Sequence, residues 1–268
     1  MEFKVIHPKP FLYHFRDPLG VCFSIILGSK LSLVVDTGYG IYDTKEIVEK
    51  YLNTPYMVIN THGHMDHTAG NFRFNEVFVP EKDYELFLEH NNPKKRANNI
   101  LEAKLQNILP ENFDEQKYIN ESTNQTKIIK ENTIIDLGNM HVELIPMEGH
   151  THGSIGLLIK EEKLLLTGDA AIHAIWLFLK ESTDRMTYIN MLKRVRTLDF
   201  DEFITGHLMK IYPKKYFDYY IEVAEKANIN NSNPIKFKNF ERPNTYEYAE
   251  MFGEDRIAID YQEPKTNE

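Results

Sequence analysis

The chain has 268 residues, with 42% hydrophobic and 12% aromatic residues, which excludes wholesale disorder and provides for a sizeable core in one large domain or two small ones. A formal net charge of −9 opposes a phosphate backbone, so nucleic acid is a disfavoured partner. The lone cysteine, Cys22, excludes an intrachain disulfide and a thiolate zinc cluster, and reads as a core residue within VCFSIIL.

The N-terminal MEFKVIHPKPFLYHF lacks a basic segment followed by an apolar stretch and a small-residue cleavage site, so no signal peptide is expected. Apolar runs such as Val21 to Leu27 fall far short of a membrane span, and a soluble cytoplasmic protein with no membrane partner is expected. Residues 1 to 60 read as strands broken by turns: VCFSIILG, KLSLVVDTGYG and MVINT, with a helix at about 44 to 52 before the last. EVFVP is a further short strand, and from Glu81 to about Leu109 the apolar spacing of three and four predicts helix. Strands resume in TKIIKENTIIDLGNMHVELIPM and in SIGLLIKEEKLLLTGDA, the latter a hairpin around KEEK. A helix at about 184 to 197, the strand EFITGH and a helix at about 214 to 227 complete the pattern. The tail after residue 228 is polar and reads as loop. The organisation expected is a domain over 1–228, with a helical insertion at about 81–109, and a C-terminal extension over 229–268 packed on that domain.

THGHMDH places His62, His64, Asp66 and His67 together on a loop that leaves a strand at Asn60. Neutral imidazoles and a carboxylate are the donor set that suits zinc and its neighbours when they converge on one point; a solvated polar loop is the competing reading. His150 in EGHTHGS, Asp169 in LLLTGDA and His207 in FITGH also stand at strand ends, the address at which α/β architectures build their sites.

HGHMDH is similar to the HxHxDH signature of the metallo-β-lactamase-fold hydrolases, and VVDTGYG, EGHTHGS, LLLTGDA and ITGH resemble that superfamily's other signature segments, in order. The resemblance spans residues 31 to 208 and implies an α/β (α+β) fold, a four-layer αββα sandwich with the metal site at one edge between the sheets. It further implies a first metal held by His62, His64 and His150, a second held by Asp66, His67 and His207, and Asp169 bridging both. Asp36 corresponds to the family's first-segment aspartate, a support beside the site. Two divalent ions would be the cofactors, zinc foremost, with manganese or iron as alternatives from the same donors. Such a pair shares a bridging hydroxide of lowered pKa and polarises the electrophile, so no serine or cysteine nucleophile is needed. Asp66 and Asp169 are the catalytic candidates, Asp66 as orienter of the nucleophile or proton carrier.

Departures within the family narrow the reaction. True β-lactamases of the fold lack the bridging aspartate, which argues against antibiotic hydrolysis here. The complete ligand set looks more like the glyoxalase II, lactonase and phosphodiesterase groups. The expectation is a dinuclear metal-dependent hydrolase of a small ester, thioester or lactone; the alternatives are a mononuclear iron oxygenase acting on a thiol or persulfide, or a phosphodiesterase. The basic cluster NNPKKRANN is read as a solvated helix start. His152, where the family commonly has proline, and His173, four residues past Asp169, are candidate substrate or supporting residues, each with surface or core placement as the competing reading. Trp176 and Phe178 wall an apolar pocket or pack in the core, and His7, His14, His90 and His141 receive no role. The insertion at 81–109 is a candidate pocket rim and homodimer surface.

Overall fold

The computed structural model describes residues 3–123, 125–236 and 244–262. Two main sheets face each other. The first runs β1 (Lys4–Lys9), β2 (Leu12–Arg16), β3 (Cys22–Ile26), β4 (Ser32–Val35), β5 (Tyr56–Ile59), β6 (Val77–Pro80) and β7 (Thr126–Ile129), antiparallel up to β4 and parallel beyond it. The second has β8 (Ile134–Asp136), β9 (His141–Pro146), β10 (Ile155–Ile159), β11 (Leu164–Leu166), β13 (Glu202–Ile204) and β14 (Tyr212–Pro213), with β11 and β13 parallel. The hairpin expected around KEEK is the β10–β11 pair.

Period-2 alternation decides which side chains meet between the sheets. Leu33 and Val35 of β4 turn inward with Ile26 and Ile59, against Val142 and Leu144 of β9, Leu157 of β10 and Leu164 and Leu166 of β11, all buried. The intervening residues turn outward: Val34, Ile25 and Phe23 pack under α1 (Thr44–Glu49) with Val48. On the other side Ile145, Leu158, Leu165 and Phe203 pack under α6 (Arg185–Arg196) and α7 (Tyr216–Lys226). Helix, sheet, sheet and helix therefore stack as four layers. Burying one such Leu or Ile stabilises the fold by about 1.5–3 kcal/mol, so this double-sided alternation is what holds the sheets face to face.

Helix starts follow short-range chemistry. Asp43, Asn92 and Asp184 each accept the backbone N–H three residues on at the heads of α1, α4 (Pro93–Leu105) and α6, as Asp114 does for α5 (Glu115–Ile119). The helical region after β6 comprises α3 (Tyr84–His90) and α4, while α2 (Met65–Thr68) is a single turn inside the histidine loop. Arg96, expected on a solvated helix start, is instead buried. Its guanidinium donates to the Ala69 carbonyl and Asn91 Oδ1 and lies over the Phe72 and Tyr118 rings, which docks α4 onto the end of the histidine loop. No helix among the described residues is long and apolar enough to cross a membrane.

The tail expected to be loop contains a hairpin, β16 (Thr245–Phe252) and β17 (Asp255–Gln262), which joins β15 (Asn233–Pro234) and β12 (Ala174–Leu177) in a third sheet. Ile257, Ile259 and Tyr261 alternate along β17 and enter the core shared with α6 and α7. Residues 237–243 and 263–268 of that extension lie outside the described residues.

Asp260, on the opposite face of β17 between Trp176 and Glu247 in register, is 5% exposed and its Oδ1 has no hydrogen-bond partner among the described residues. Burial, then the Glu247 carboxylate, push its pKa up to about 7, against a smaller opposing pull from Arg256. An acid whose folded pKa lies above its unfolded one binds its proton more tightly in the native state. Its contribution is therefore complete below about pH 4 and lost as pH rises through about 7. Asp260→Asn should gain about 1–4 kcal/mol over wild type at pH 8 and little at pH 4, read by thermal denaturation across that range; an advantage that shrinks with rising pH would contradict it.

Candidate metal centre

The site sits where β4, β5, β9, β11 and β13 end. Asp36 closes β4 with φ +65°, a left-handed turn that aspartate tolerates better than most residues. Its carboxylate accepts from Thr61 N (2.8 Å), Thr61 Oγ1 (2.9 Å) and His67 Nδ1 (2.9 Å). The loop after β5 is thus held against β4 at both its beginning and its end. Asn60 adds a bond from Nδ2 to the His67 carbonyl (3.0 Å).

The seven side chains singled out as ligands come together in two clusters, His62, His64 and His150 in one, and Asp66, His67, Asp169 and His207 in the other. In the first, His64 Nδ1 is 3.1 Å from His62 Nε2 and 2.9 Å from His150 Nε2. The outer nitrogens have acceptors of their own. His150 Nδ1 donates to the Trp176 carbonyl (3.0 Å) and His64 Nε2 to Glu181 Oε1 (2.9 Å). Thr61 Oγ1 gives its proton to Asp36 and so accepts from His62 Nδ1 (3.1 Å). A neutral imidazole has one N–H, so with that proton outside, each ring turns a lone pair inward. Three lone pairs within 4.8 Å of one another, that of His64 about 3 Å from each of the others, repel unless a cation lies among them; tetrahedral zinc with Zn–N near 2.0–2.1 Å separates its nitrogens by about 3.3 Å.

In the second cluster His207 Nε2 lies 3.1 Å from Asp169 Oδ2 and 3.6 Å from Asp66 Oδ2, and His67 Nε2 is 3.5 Å from both carboxylates. His207 Nδ1 donates to the Gly20 carbonyl (3.1 Å). His67 Nε2 and Asp169 Oδ1 are buried with no hydrogen-bond partner among the described residues. Asp169 Oδ2 also comes within 3.9 Å of His150 Nε2, so this carboxylate stands between the clusters. Gly206 permits that approach: a Cβ there would meet Asp169 Oδ1 at 2.3 Å and His67 Cε1 at 2.8 Å.

The electrostatics of the two halves differ. Burial, then the neighbouring imidazoles, push His62 well below the usual histidine range, and burial chiefly lowers His150 to about 4, which keeps both neutral and ready to donate lone pairs. Burial also disfavours charge on His67 and His207, but the surrounding carboxylates, Asp169 first, more than offset it; His67 rises well above its usual value and His207 to about 9. Burial likewise opposes charge on Asp169, yet His207 and His67 hold it well below the carboxylate range. A neutral three-nitrogen pocket beside an anionic mixed pocket fits two divalent ions. Imidazole and carboxylate donors suit zinc, manganese and iron.

Three contributors escaped the sequence. Asp83 is buried, and its carboxylate accepts from Gly63 N (2.8 Å), Gly153 N (2.7 Å) and Thr151 Oγ1 (2.7 Å), tying the His62–His64 loop to the His150 loop. Glu181 and His90 flank His64, with the His90 ring stacked on it at 5.0 Å. His152 is exposed. His173 packs among Tyr212, Tyr216 and Tyr220, with Nδ1 on the Tyr220 hydroxyl (2.9 Å), and belongs to neither cluster. Phe178 is fully buried, and Trp176 serves the site through its carbonyl.

Residues 17–207 match the family model of the metallo-β-lactamase superfamily, a span that contains every residue of both clusters. The chain belongs to that superfamily. Its relatives include the human acyl-coenzyme A thioesterase MBLAC2, 24% identical over 157 residues, 54% of this chain and 56% of that protein; the chain spans about half the length of the curated relatives it matches. Among solved structures, the metallo-β-lactamase from Pontibacter korlensis superposes with TM-score 0.62 at 14% identity, over 84% of this chain and all of that one. The sec-alkylsulfatase Pisa1 from a Pseudomonas species gives 0.62 at 17% identity, over 83% of this chain and 41% of that one. The metallo-β-lactamase fold, with its two main sheets, is the architecture that the sequence implied.

Asp83→Ala leaves two buried N–H groups and a hydroxyl without their acceptor, and should cost about 2–5 kcal/mol. Denaturant unfolding of the metal-free protein measures this; a loss under 1 kcal/mol would show that the two loops do not depend on that carboxylate.

Proposed function

We propose that this chain is a dinuclear metal-dependent hydrolase of a small acyl substrate, a thioester first and an ester or lactone otherwise. One observation carries the reading: the imidazoles of both clusters keep their outer nitrogens engaged and turn the other nitrogen toward a shared interior that also receives two carboxylates. Bound there, two divalent ions, zinc foremost, would lower the pKa of water and polarise the acyl carbonyl. The likeness to an acyl-coenzyme A thioesterase supports a thioester among the acyl substrates.

The protein's own residues divide the remaining work. Asp169 stands between the clusters and spaces them. The Asp66 side chain is 23% exposed, against 11% for Asp169, so of the two carboxylates it is the one placed to take a proton from attacking water and pass it to the departing thiolate. Asp36, Thr61, Gly20 and Trp176 hold the imidazoles at fixed angles and leave the reacting face free. The chain's acidity weakens a phosphodiester reading, and in its basic cluster NNPKKRANN the Arg96 side chain is buried and engaged by Ala69 and Asn91.

Two experiments test this. Elemental analysis of purified protein should find about two zinc ions per chain, and zinc at a thousand times its dissociation constant should stabilise the metal-free protein by about 4 kcal/mol per site; one iron with oxygen uptake on thiols would overturn the hydrolase reading. A screen of acyl-coenzyme A thioesters, lactones, β-lactams and bis(p-nitrophenyl) phosphate should show turnover of the thioesters, with Asp169→Asn reducing kcat/KM at least about a hundredfold. Turnover of the phosphodiester alone would reject the acyl assignment.

A further inference from the structure

Within the first cluster, His64 is the imidazole whose outer nitrogen meets a carboxylate. Glu181 Oε1 lies 2.9 Å from His64 Nε2, with the two side chains 13% and 9% exposed. Glu181 belongs to the turn between β12 and α6, and that turn is fastened to the His150 loop. The Glu181 carbonyl accepts from His152 N (3.1 Å), Ser182 Oγ donates to the His150 carbonyl (2.9 Å), and Thr183 N donates to the Gly149 carbonyl (2.9 Å). The same turn therefore sets the position of one donor loop through its backbone and grips a second donor through its side chain. His90 closes the far face of His64, its ring stacked at 24° and its Nε2 3.8 Å from Glu181 Oε1.

We propose that Glu181 is a positioning residue for the first metal: by accepting the Nε2 proton of His64 it selects the tautomer that leaves Nδ1 as the inward donor, and it fixes the ring plane against His90. An ionised carboxylate only accepts, so the imidazole proton must face it, and a carboxylate partner also makes the opposite nitrogen a better donor. The other two imidazoles of the cluster rely on a hydroxyl and a backbone carbonyl, which orient without adding charge. This rests on the reading that the first cluster holds an ion, and on nothing about the substrate.

Zinc titration of the metal-free protein against a chromophoric chelator tests it. Glu181→Ala should weaken the first ion tenfold to a hundredfold while leaving the second, which Asp66, His67, Asp169 and His207 surround, at wild-type affinity. Glu181→Gln, whose amide oxygen can still accept from Nε2, should recover most of the loss. Metal-free Glu181→Ala should melt only several degrees below wild type, the cost of one buried N–H left without its acceptor; a collapse of the fold, with both ions weakened alike and no recovery in the glutamine variant, would mark a general structural role and overturn the proposal. Unchanged affinity in Glu181→Ala would overturn it as well. So would a third zinc ion in wild type that Glu181→Ala loses, since His64, His90 and Glu181 would then be a metal site themselves. A wild-type chain that takes up no zinc would overturn the metal reading and this inference with it.

Discussion

Everything at the centre depends on where the imidazole protons lie. Five histidines meet in a space from which water is largely excluded, and a neutral imidazole can present either nitrogen. Left to themselves such rings would pair with one another. Instead an acceptor stands behind each: Thr61 behind His62, Glu181 behind His64, Asp36 behind His67, Trp176 behind His150 and Gly20 behind His207. Those acceptors come from four separate stretches of chain, so the tautomers are fixed only when the whole sandwich is assembled. The donor array is thereby a product of the fold and not of the histidine loop.

This dependence runs in both directions. A buried acceptor that lacks its donor is costly, so the same bonds that aim the imidazoles also close the sandwich edge. Asp36 illustrates the exchange. It sits in a left-handed backbone conformation, yet its carboxylate satisfies a backbone N–H, a hydroxyl and an imidazole together, and the Thr61 hydroxyl passes the orientation on to His62. Removing the carboxylate would release β4 from the loop and two rings from their tautomers in one step. Of the seven clustered side chains, two keep a buried atom without a hydrogen-bond partner among the described residues, His67 Nε2 and Asp169 Oδ1, and there divalent cations would satisfy them.

The sequence was most legible where chemistry is local. The ligand blocks lie at strand ends, and each strand is short, rich in Val, Ile and Leu, and closed by a turn residue, so both the strands and the side chains after them stand out. What supports the ligands was not legible. Asp83 is 20 residues from Gly63, and Glu181 is 117 residues from His64; neither neighbourhood has a pattern pointing to a partner, because the interaction exists only after the sheets pack. His90 has no metal-ligating neighbour in its stretch of sequence, and its partner Glu181 arrives from the turn before α6. AIWLFL carried an apolar run too short for periodicity to separate strand from helix, and it folds as β12. The tail reads as loop because its charges mask an alternation, Ile257, Ile259, Tyr261, that sends one face of β17 into the core, while Ala258 and Asp260 on the other face are buried as well.

That tail changes how the site is bounded. β12 gives the Trp176 carbonyl to His150, and β12 pairs in parallel with β17, with Trp176 opposite Asp260 and Ala174 opposite Ala258. β17 lies beyond residue 207, where the match to the superfamily ends. A strand outside that span therefore pairs with the strand that aims His150. The continuity is mechanical: a shift of β17 along its register carries β12 with it through their ladder, and the Trp176 carbonyl, one residue before the ladder's last pair, is the group that receives His150 Nδ1. Seven clustered side chains lie inside the matched span, but the angle at which His150 enters the first cluster depends on a strand pair that reaches beyond it.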